Sequence, residues 1–589
     1  MNIVVTGKGI VSAIGLNSAQ VLKSLQQGRS GIATMKHLPS VHKELPVGEV
    51  DLSAEQMKAL ADVPANETAS RTTLMGIMAV KQALDEAGIT AGCHTGSKTP
   101  RIVLISGTTV GGMDLTEANF DKLESGDDCG FFQEHDCGSC TRHIANHFGL
   151  FCDVTTISTA CSSAANAMML SARLIKAGKA DIVVAGGTEA LSRFHLNGFN
   201  SLMILDHEQC RPFDATRTGL NLGEGAAFVV LESEESAAQR GAAVQAYLTG
   251  YGNACDAFHQ TASSPNGEGA FLAMTAALAT AGVAPSDVSY VNAHGTGTPN
   301  NDQSESAALM RVFGADMPPV SSTKGFTGHA TSAAGAIEAV ICLLAMQHGF
   351  IPANLGWSHP MPDGITPCMG KTGVVLDHVL CNSFGFGGND TALLFSRNAT
   401  NGAALTNAVP DDRIRVAAQV EITDEGQLKA ISQYVKPLEA RRMGKIMKSS
   451  LLASLQALQQ AGITVPDAVI TGTAYGCLEN SEKLLRQMTD EGEAMLKPTL
   501  FMQSTHNTIG SNIAMRLGCH GYNVTYTQGA DSLQWAIRDA RMLLKSGQCK
   551  TVLVGCHDET TPLFASLLQN HGGESQPPVK SIAIVLTTC

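Results

Sequence analysis

The stretch TISTACSSAANAMMLSARLIKAG, Thr156 to Gly178, carries a cysteine between an extended run and a helical run. The residues CDVTTIS are rich in β-branched side chains and predict a strand, and the small and apolar residues that follow predict a helix ending at Gly178. Cys161 is therefore expected to begin the helix. Free N–H groups and the helix dipole would favour a thiolate there, which makes Cys161 a candidate nucleophile. A small buried apolar residue is the alternative interpretation.

The composition is typical of a folded α/β protein in a reducing compartment. The chain has 589 residues, of which 44% are hydrophobic and 16% charged, and 59 are glycine, so we expect about three or four structural units with close turns. The N-terminal MNIVVTGKG has no basic leader-like region, and no uninterrupted apolar run reaches transmembrane length. These features predict a cytoplasmic protein without a transmembrane segment. The 16 cysteines are expected to be reduced, and a net charge of −13 argues against nucleic acid as a partner.

A helix-strand-turn unit occurs three times. The helical template A-x3-A-L-x2-A-G-[IV] recurs at Ala79–Ile89, Ala273–Val283 and Ala453–Ile463. Each copy is followed by an apolar strand that ends in a polar-Gly-Thr turn: RIVLISGT, SYVNAHGT and AVITGT. Three ordered repetitions predict a duplicated architecture.

The first and third copies match further along the chain. IANHFGLFCDV parallels IAMRLGCHGYNV, and ARLIKAGKADIVVAGG parallels RMLLKSGQCKTVLVGC. The turn TQGADSL, Thr527 to Leu533, corresponds to the region of Cys161 but has no sulfur, with its register open by one or two residues. We therefore predict two complementary halves, residues 1–240 and 241–397, a linker over 398–410 and a cysteine-less copy of the first half over 411–589.

Three further turns carry residues suited to chemistry. VNAHGTGTPNND places a histidine at a strand end before two threonines; STKGFTGHATSAAG places a lysine and a second histidine before a helix; NSFGFGGND surrounds two phenylalanines with glycines. Each has a structural alternative, namely a hydrogen-bonded histidine, an ion pair or a tight turn.

Together these segments resemble the β-ketoacyl synthases, the condensing enzymes of the thiolase fold. TACSS, HGTGTP, KGFTGH and NSFGFGGN occur in the order of that family, within about residues 1–397. The resemblance implies an α/β, thiolase-like layered αβαβα fold of two duplicated halves, with an additional thiolase-like half domain at the C-terminal end.

The resemblance also implies roles for individual residues. Cys161 would accept the acyl group, His294 and His329 would be the two active-site histidines, and Lys324 would support the second of them. The backbone N–H of Phe386 would form an oxyanion hole with that of Cys161. Residues expected to bind the substrate and its phosphopantetheine arm are Thr296, Thr298, Phe384, Gly387 and Gly388.

The implied reaction is a decarboxylative Claisen condensation on an acyl carrier protein. A thiolate takes the acyl group, a malonyl thioester loses carbon dioxide, and two imidazoles stabilise the enolate that attacks the acyl group. This chemistry needs no metal and no cofactor beyond the carrier's phosphopantetheine, and two histidines favour the elongating subgroup. A general fatty-acid elongation enzyme and a non-elongating acyltransferase remain alternatives.

The C-terminal copy resembles a shortened chain-length factor, as in aryl-polyene or flexirubin-type ketosynthase pairs. It is expected to pack through the surface otherwise used for dimerisation and to set pocket length; a degenerate, purely stabilising duplication is the alternative. The chain would then be a homodimer or an intramolecular pair. The basic stretch ARRMGKIMK suggests docking of an acidic carrier through Arg441, Arg442, Lys445 and Lys448, with Arg71 of the first copy. The alternative is that these residues form only a solvated helix face.

Other classes of protein fit less well. A dinucleotide-binding loop would need a third glycine where Gly7 and Gly9 are followed by Ser12. HDCGSCTRH contains a Cys-x2-Cys pair with two histidines, but no second pair completes a structural zinc site. A non-catalytic binding protein is the remaining class.

Overall fold

The computed structural model describes residues 1–90, 99–126, 134–402, 409–494, 496–572 and 576–588. Part of the predicted linker, residues 403–408, lies outside them.

The strands are, in the first half, β1 (Ile3–Ser12), β2 (Ile102–Gly107), β3 (Asp153–Ile157), β4 (Ile182–Glu189) and β5 (Gly225–Ser233); in the second, β6 (Ala246–Cys255), β7 (Tyr290–Asn292), β8 (Val320–Ser321), β9 (Phe350–Ile351), β10 (Lys371–Thr372), β11 (His378–Gly385) and β12 (Asn389–Ser396); in the extra half, β13 (Ile414–Ile422), β14 (Ala468–Gly472), β15 (Tyr522–Tyr526), β16 (Thr551–Glu559) and β17 (Val579–Thr588).

The α-helices follow the same division. They are α1 (Ser18–Gln26), α2 (Ala54–Ala61), α3 (Arg71–Ala87), α4 (Met113–Ala118), α5 (Phe120–Glu124), α6 (Cys137–Phe148), α7 (Ser163–Lys176), α8 (Arg193–Ser201) and α9 (Glu234–Arg240) in the first half; α10 (Glu268–Ala281), α11 (Pro299–Phe313), α12 (Lys324–Thr327) and α13 (Ala334–His348) in the second; and α14 (Pro437–Ala440), α15 (Lys445–Ala461), α16 (Leu478–Glu491), α17 (Pro498–Met502), α18 (Thr508–Leu517), α19 (Ser532–Lys545) and α20 (Pro562–Asn570) in the extra half.

The three copies share one strand order. The first half runs β3-β2-β4-β5-β1, the second β8-β7-β11-β12-β6 and the extra half β15-β14-β16-β17-β13. In each copy the first three strands are mutually parallel and the last two pair antiparallel. The threefold repetition predicted from the sequence is therefore present in the fold.

Glycines in the sheet explain the alanine template of the repeated helix. A Cβ on Gly9 of β1 would stand 2.0 Å from the carbonyl oxygen of Ala79 in α3, and one on Gly252 of β6 would stand 2.2 Å from that of Ala273 in α10. Strand and helix backbones touch at these points, so only glycine facing a small residue fits. Gly9 thus lies within a strand, and the Gly-x-Gly of the N-terminus allows β1 to pack closely against α3.

The central layer consists of α7 and α13, which pack between the sheets of the first two halves. The α13 helix is buried throughout Ala334–Met346. The window Thr331–His348 is long and apolar enough to cross a membrane by length and composition, but 89% of it is buried inside the protein. This segment is thus the core helix of the layered fold.

The extra half continues the sheet of the first half. Tyr526 of β15 pairs antiparallel with Ile157 of β3, and two backbone hydrogen bonds extend the contact, from Ser158 N–H to the Thr525 carbonyl at 2.9 Å and from Thr527 N–H to the Thr156 carbonyl at 3.0 Å. The strand that leads to Cys161 is therefore held on both sides.

The central helices of the two related halves differ in burial. In the first half, α7 is buried throughout Ser163–Ile175 under the second half. Its counterpart α19 has no such cover among the described residues, and Gln534, Arg538 and Arg541 reach its surface. The outer face of α19 is correspondingly polar, as a helix facing water requires.

Candidate active site

Cys161 occupies a tight turn between β3 and α7. The helix begins at Ser163, so the expectation that Cys161 begins it is wrong by two residues. Ala160 has φ +52°, and the Ser163 hydroxyl fixes the turn, since Oγ accepts from the Thr159 N–H at 2.9 Å and donates to the Ala160 carbonyl at 2.6 Å. The turn presents the cysteine side chain to a pocket.

The three predicted reactive side chains come together. His329 Nε2 lies 3.0 Å from Cys161 Sγ, and the rings of His294 and His329 are 5.2 Å apart between centroids. The sulfur and one nitrogen of each ring all lie within 4.8 Å of one another, and all three residues are buried. They follow β3, β7 and α12, which are separate parts of the chain.

Lys324 supports a different histidine from the one predicted. Its Nζ lies 3.3 Å from His294 Nδ1 and donates to the His294 carbonyl, so the lysine contacts the first histidine and not the second. Lys324 is also paired with Glu338 at 2.5 Å in a buried ion pair. A donor at Nδ1 leaves Nε2 of His294 as the protonated nitrogen.

Sequence reasoning missed a buried carboxylate that fixes the same histidine. Glu305 in α11 accepts from the N–H of His294 at 2.9 Å and from the N–H of Gly295 at 2.7 Å. Asn382 Nδ2 donates to Glu305 at 3.2 Å. Glu305 lies in α11, which directly follows the HGTGTP turn, and an acidic residue at that spacing could have indicated the contact.

The cysteine and both histidines are neutral in this state. Burial raises the pKa of the Cys161 thiol to about 12, against an opposing effect of Lys324. Burial and then Lys324 hold the pKa of His294 and His329 well below the usual range for histidine. Burial therefore favours the thiol over the expected thiolate, because desolvation outweighs the turn and the nearby lysine.

The glycine-rich turn between β11 and β12 lies over the sulfur. The backbone N–H groups of Phe386 and of Cys161 itself are within hydrogen-bonding reach of Cys161 Sγ. Gly387 and Gly388 have φ +83° and +73°, which favours glycine at both positions. Gly388 lines the pocket, whereas Gly387 faces Ser511, where an added Cβ would stand 2.3 Å from Oγ.

A pocket of about 380 Å³ leads from Cys161 to the surface. Thr296, Thr298 and Phe384 line it, with the two threonine hydroxyls 2.9 Å apart. Met203, 88% exposed, stands at its mouth.

The extra half reaches this site through α17 and α18. Phe386 stacks on Phe199 at 5.5 Å, and Phe199 contacts Phe501 of α17 at 5.3 Å between centroids. Asn507, directly before α18, donates from Nδ2 to the Phe386 carbonyl at 2.8 Å. Sequence reasoning named neither extra-half residue, because both act across a contact between distant segments.

The turn of the extra half now has a defined register. Ser532 Oγ accepts from the Gln528 N–H at 2.8 Å and donates to the Gly529 carbonyl at 2.8 Å, and Gly529 has φ +58°. This pattern repeats the hydrogen bonds of Ser163, so Ala530 occupies the position of Cys161. The extra half has the turn without the nucleophile.

The predicted docking residues divide into two groups. Arg71 is half-buried, pairs with the buried Glu224 at 2.6 Å and donates to the carbonyls of Val50 and Leu52, so it is a structural residue and the prediction for it is wrong. Lys445 pairs with Glu425 at 2.9 Å. Arg441 and Arg442 are exposed and Lys448 is half-buried.

The Cys-x2-Cys pair does not form a metal group with its neighbouring histidines among the described residues. Cys140 Sγ lies 3.0 Å from Thr73 Oγ1, and His143 contacts Glu67 and Glu134. Burial raises the pKa of the Cys140 thiol to about 12, which opposes metal binding as a thiolate.

Comparison with protein families matches both parts of one fold. The description "Beta-ketoacyl synthase, N-terminal domain" matches residues 1–237 and again 392–576. "Beta-ketoacyl synthase, C-terminal domain" matches residues 245–358. The second match of the N-terminal domain falls on the extra half.

Characterised relatives cover the first two halves. Nodulation protein E of Rhizobium meliloti (strain 1021) is 34% identical over 409 residues, covering 67% of this chain and 99% of the relative. The 3-oxoacyl-[acyl-carrier-protein] synthase 2 of Vibrio harveyi is 33% identical over 422 residues, with 67% and 99% covered.

Solved structures extend the likeness to the whole chain. The ishigamide ketosynthase/chain length factor has a TM-score of 0.62 and 31% identity, with 68% of this chain and 99% of that chain covered. The type II polyketide ketosynthase AntDE, solved with its acyl-carrier protein, has a TM-score of 0.59 and 26% identity over 67% and 99%. The PfaC ketosynthase-chain length factor has a TM-score of 0.77 and 18% identity, covering 100% of this chain and 78% of that chain, which shows the shared fold. With the Cys-His-His site and a thiolase-like fold in place, the chain belongs to the β-ketoacyl synthase family.

Proposed function

We propose that this β-ketoacyl synthase elongates an acyl chain held on Cys161, using a malonyl thioester of an acyl carrier protein. The enzyme is an acyltransferase of the 3-oxoacyl-[acyl-carrier-protein] synthase type, and its reaction is a Claisen condensation of the kind used in fatty-acid or polyketide-like pathways. The observation that carries the residue assignment is the 3.0 Å approach of His329 Nε2 to Cys161 Sγ beside His294.

In the first step the acyl group moves from the carrier to the enzyme. As Cys161 Sγ attacks the thioester carbon, its proton passes to His329 Nε2, which is neutral and able to accept it. Negative charge develops on the thioester oxygen, and the N–H groups of Cys161 and Phe386 are placed to stabilise it. The carrier thiol leaves and takes up the proton.

In the second step a malonyl thioester enters the same pocket. Loss of carbon dioxide leaves an enolate, whose oxygen accepts hydrogen bonds from His294 and from His329, which in this step carries its proton on Nε2 and not on Nδ1. Lys324 near Nδ1 and Glu305 at the backbone hold His294 with its Nε2–H directed at that oxygen. The enolate carbon attacks the acyl carbon, the Cys161–acyl bond breaks, and the sulfur takes up a proton supplied by the solvent.

Two variants test the assignment in one assay. Cys161→Ala should abolish formation of the acyl-enzyme, as measured by intact-protein mass spectrometry with a carrier-bound acyl donor. His294→Ala should still become acylated, but condensation should fall on the order of 10²–10³-fold, because one enolate donor is lost. Cys152→Ser, at an exposed cysteine, is the control and should behave as wild type. Condensation at the wild-type rate in Cys161→Ala would refute the proposal.

The extra half is proposed to shape the acyl pocket as a chain-length factor does. The support is its contact with the pocket through Phe501 and Asn507, together with the likeness to ketosynthase/chain length factor structures. A purely stabilising duplication is the alternative. Under this proposal, the extra half packs on the ketosynthase part of the same chain and takes the place of the second subunit of a ketosynthase dimer.

Arg441 and Arg442 are proposed to bind the carrier. Both are exposed and directly follow α14 in a basic stretch of the chain. Ketosynthases take substrates on the phosphopantetheine of acidic carriers, so a basic patch there would steer binding.

Charge reversal at this patch is the test. Arg441→Glu with Arg442→Glu should weaken carrier binding at least tenfold at low salt and remove most of its salt dependence, measured by calorimetry. Arg101→Glu, far along the chain in an exposed pair, serves as the control. Equal loss in both variants would mean that net charge, and not this patch, governs binding. We further propose that the enzyme needs no cofactor other than the phosphopantetheine of the carrier. We also propose that it is cytoplasmic.

A further inference from the structure

A second, smaller chamber lies behind the phenylalanines of the active-site pocket. It has a volume of about 40 Å³ and is lined by residues of the first half and of the extra half. Its walls include three histidines, His135, His195 and His506, with the aromatic residues Phe194, Phe501 and Tyr475. It is therefore a composite site that neither half forms alone.

The chamber adjoins the reaction centre. His195 and Phe199 lie one helical turn apart on α8, and both rings contact Phe501, at 6.3 and 5.3 Å between centroids. Phe199 also stacks on Phe386 of the loop over the sulfur. The electrostatic effect of His195 extends to His329. An acyl chain that passes these rings from Cys161 would place its far part in the chamber.

The chamber offers hydrogen-bonding groups that the protein leaves unused. His195 is only 6% exposed, and neither of its ring nitrogens has a hydrogen-bond partner in the part of the chain that the structure describes. His506 is held through Nδ1, 3.3 Å from Ser158 Oγ, and His135 through Nδ1, 2.9 Å from Thr116 Oγ1. Their Nε2 atoms have no partner within the described ranges.

These histidines are uncharged. Burial lowers the pKa of His135 and His195 below the usual range, and burial lowers that of His506 to about 4. Each neutral ring provides one donor and one acceptor, which suits a hydroxyl or a carbonyl. A carboxylate would meet no protonated imidazole, and a hydrocarbon would leave buried nitrogens without partners.

We propose that the chamber selects acyl chains that carry a neutral oxygen group, a hydroxyl or a carbonyl, over saturated hydrocarbon chains of equal length. This inference rests on the proposed acylation of Cys161. The chamber is about three times the minimum space that one water molecule needs, so it accommodates a small polar group and not a long alkyl end. Selection arises because a site built to hydrogen-bond a substrate oxygen rejects the analogue that lacks it.

The test is a competition for Cys161. Wild-type enzyme is offered equimolar pairs of pantetheine thioesters, one saturated and one with a hydroxyl or keto group at a stated carbon, over a series of positions and lengths. Initial rates of acyl-enzyme formation are read by intact-protein mass spectrometry. At one position the oxygenated chain should load at least tenfold faster.

Variants locate the selectivity in the chamber. His195→Leu should bring the ratio close to one, whereas His195→Gln, which retains a donor and an acceptor, should keep most of the preference. His147→Leu, at an exposed histidine of α6, should match wild type.

Two outcomes would overturn the inference. Equal loading of both chains at every position refutes the selectivity but leaves the acyltransferase function intact, and so does an unchanged ratio in His195→Leu. Failure of any chain to acylate Cys161 refutes the proposed function itself, and the inference falls with it.

Discussion

At the scale of single residues, the active site brings together a neutral thiol and a neutral imidazole. Burial raises the pKa of Cys161 to about 12 and lowers that of His329 well below its usual range. The pair must therefore exchange a proton during attack and does not rest as an ion pair. This also protects the sulfur from reagents that react only with thiolates.

Alkylation of Cys161 by iodoacetamide should consequently show no plateau near neutrality. Below the thiol pKa the thiolate fraction rises about tenfold per pH unit, so the rate should climb steadily from pH 7 to pH 10. Peptide mass spectrometry of the Cys161 peptide would follow the rate, with Cys161→Ser as the blank. A rate that levels off below pH 8 would show that the cysteine rests as a thiolate.

At the scale of elements, α17 packs one side chain against a residue of the active-site pocket wall. Phe501 contacts Phe199 of α8 and also forms part of the composite chamber. Because α17 belongs to the extra half, Phe501 is the side chain through which that half would limit chain length under the proposed function.

Phe501→Ala should lengthen the products by about one or two two-carbon units, because removal of a phenyl ring leaves a cavity that a growing chain can fill. Mass spectrometry of the released β-ketoacyl products gives the lengths. Leu500→Ala, on the same short helix but outside the chamber lining, is the matched control. Unchanged product lengths in Phe501→Ala would favour the purely stabilising duplication.

Much of this arrangement could be predicted from local sequence. The threefold repeat and the strand before Cys161 follow from motifs that are contiguous in the chain, whereas the convergence of His294 and His329 was implied by the resemblance to the β-ketoacyl synthases. The neutral state of the thiol could not, because it depends on burial by residues far away in sequence. Arg71 looked like its surface counterpart at Lys445, but a buried Glu224 pairs with it.

At the scale of the whole molecule, a buried ion pair joins the first half to the extra half. Arg173 of α7 and Asp539 of α19 are 2.8 Å apart and almost fully buried, and the Tyr522 hydroxyl donates to Asp539 at 2.7 Å. The cation also lies 5.0 Å from the Tyr522 ring centroid. Such a cluster fixes the register in which the halves meet.

Asp539→Ala should lower the free energy of unfolding by about 3–5 kcal/mol, because it leaves the Arg173 guanidinium buried without its partner. Urea denaturation would measure the loss. Arg538→Ala is the control, since its pair with Asp153 is largely exposed and is expected to contribute less than about 1 kcal/mol. Similar losses in both variants would rule out a special role for the buried pair.

The antiparallel contact of β15 with β3 has a consequence for how the enzyme is assembled in a cell. Separate ketosynthase subunits must be made in equal amounts and must find their own partner among relatives that offer a similar strand edge. Here both strands are translated together, and the tether keeps their local concentration high. Subunits of related enzymes therefore compete poorly for the contact between β15 and β3. The two strands can then change together in evolution without losing their partner.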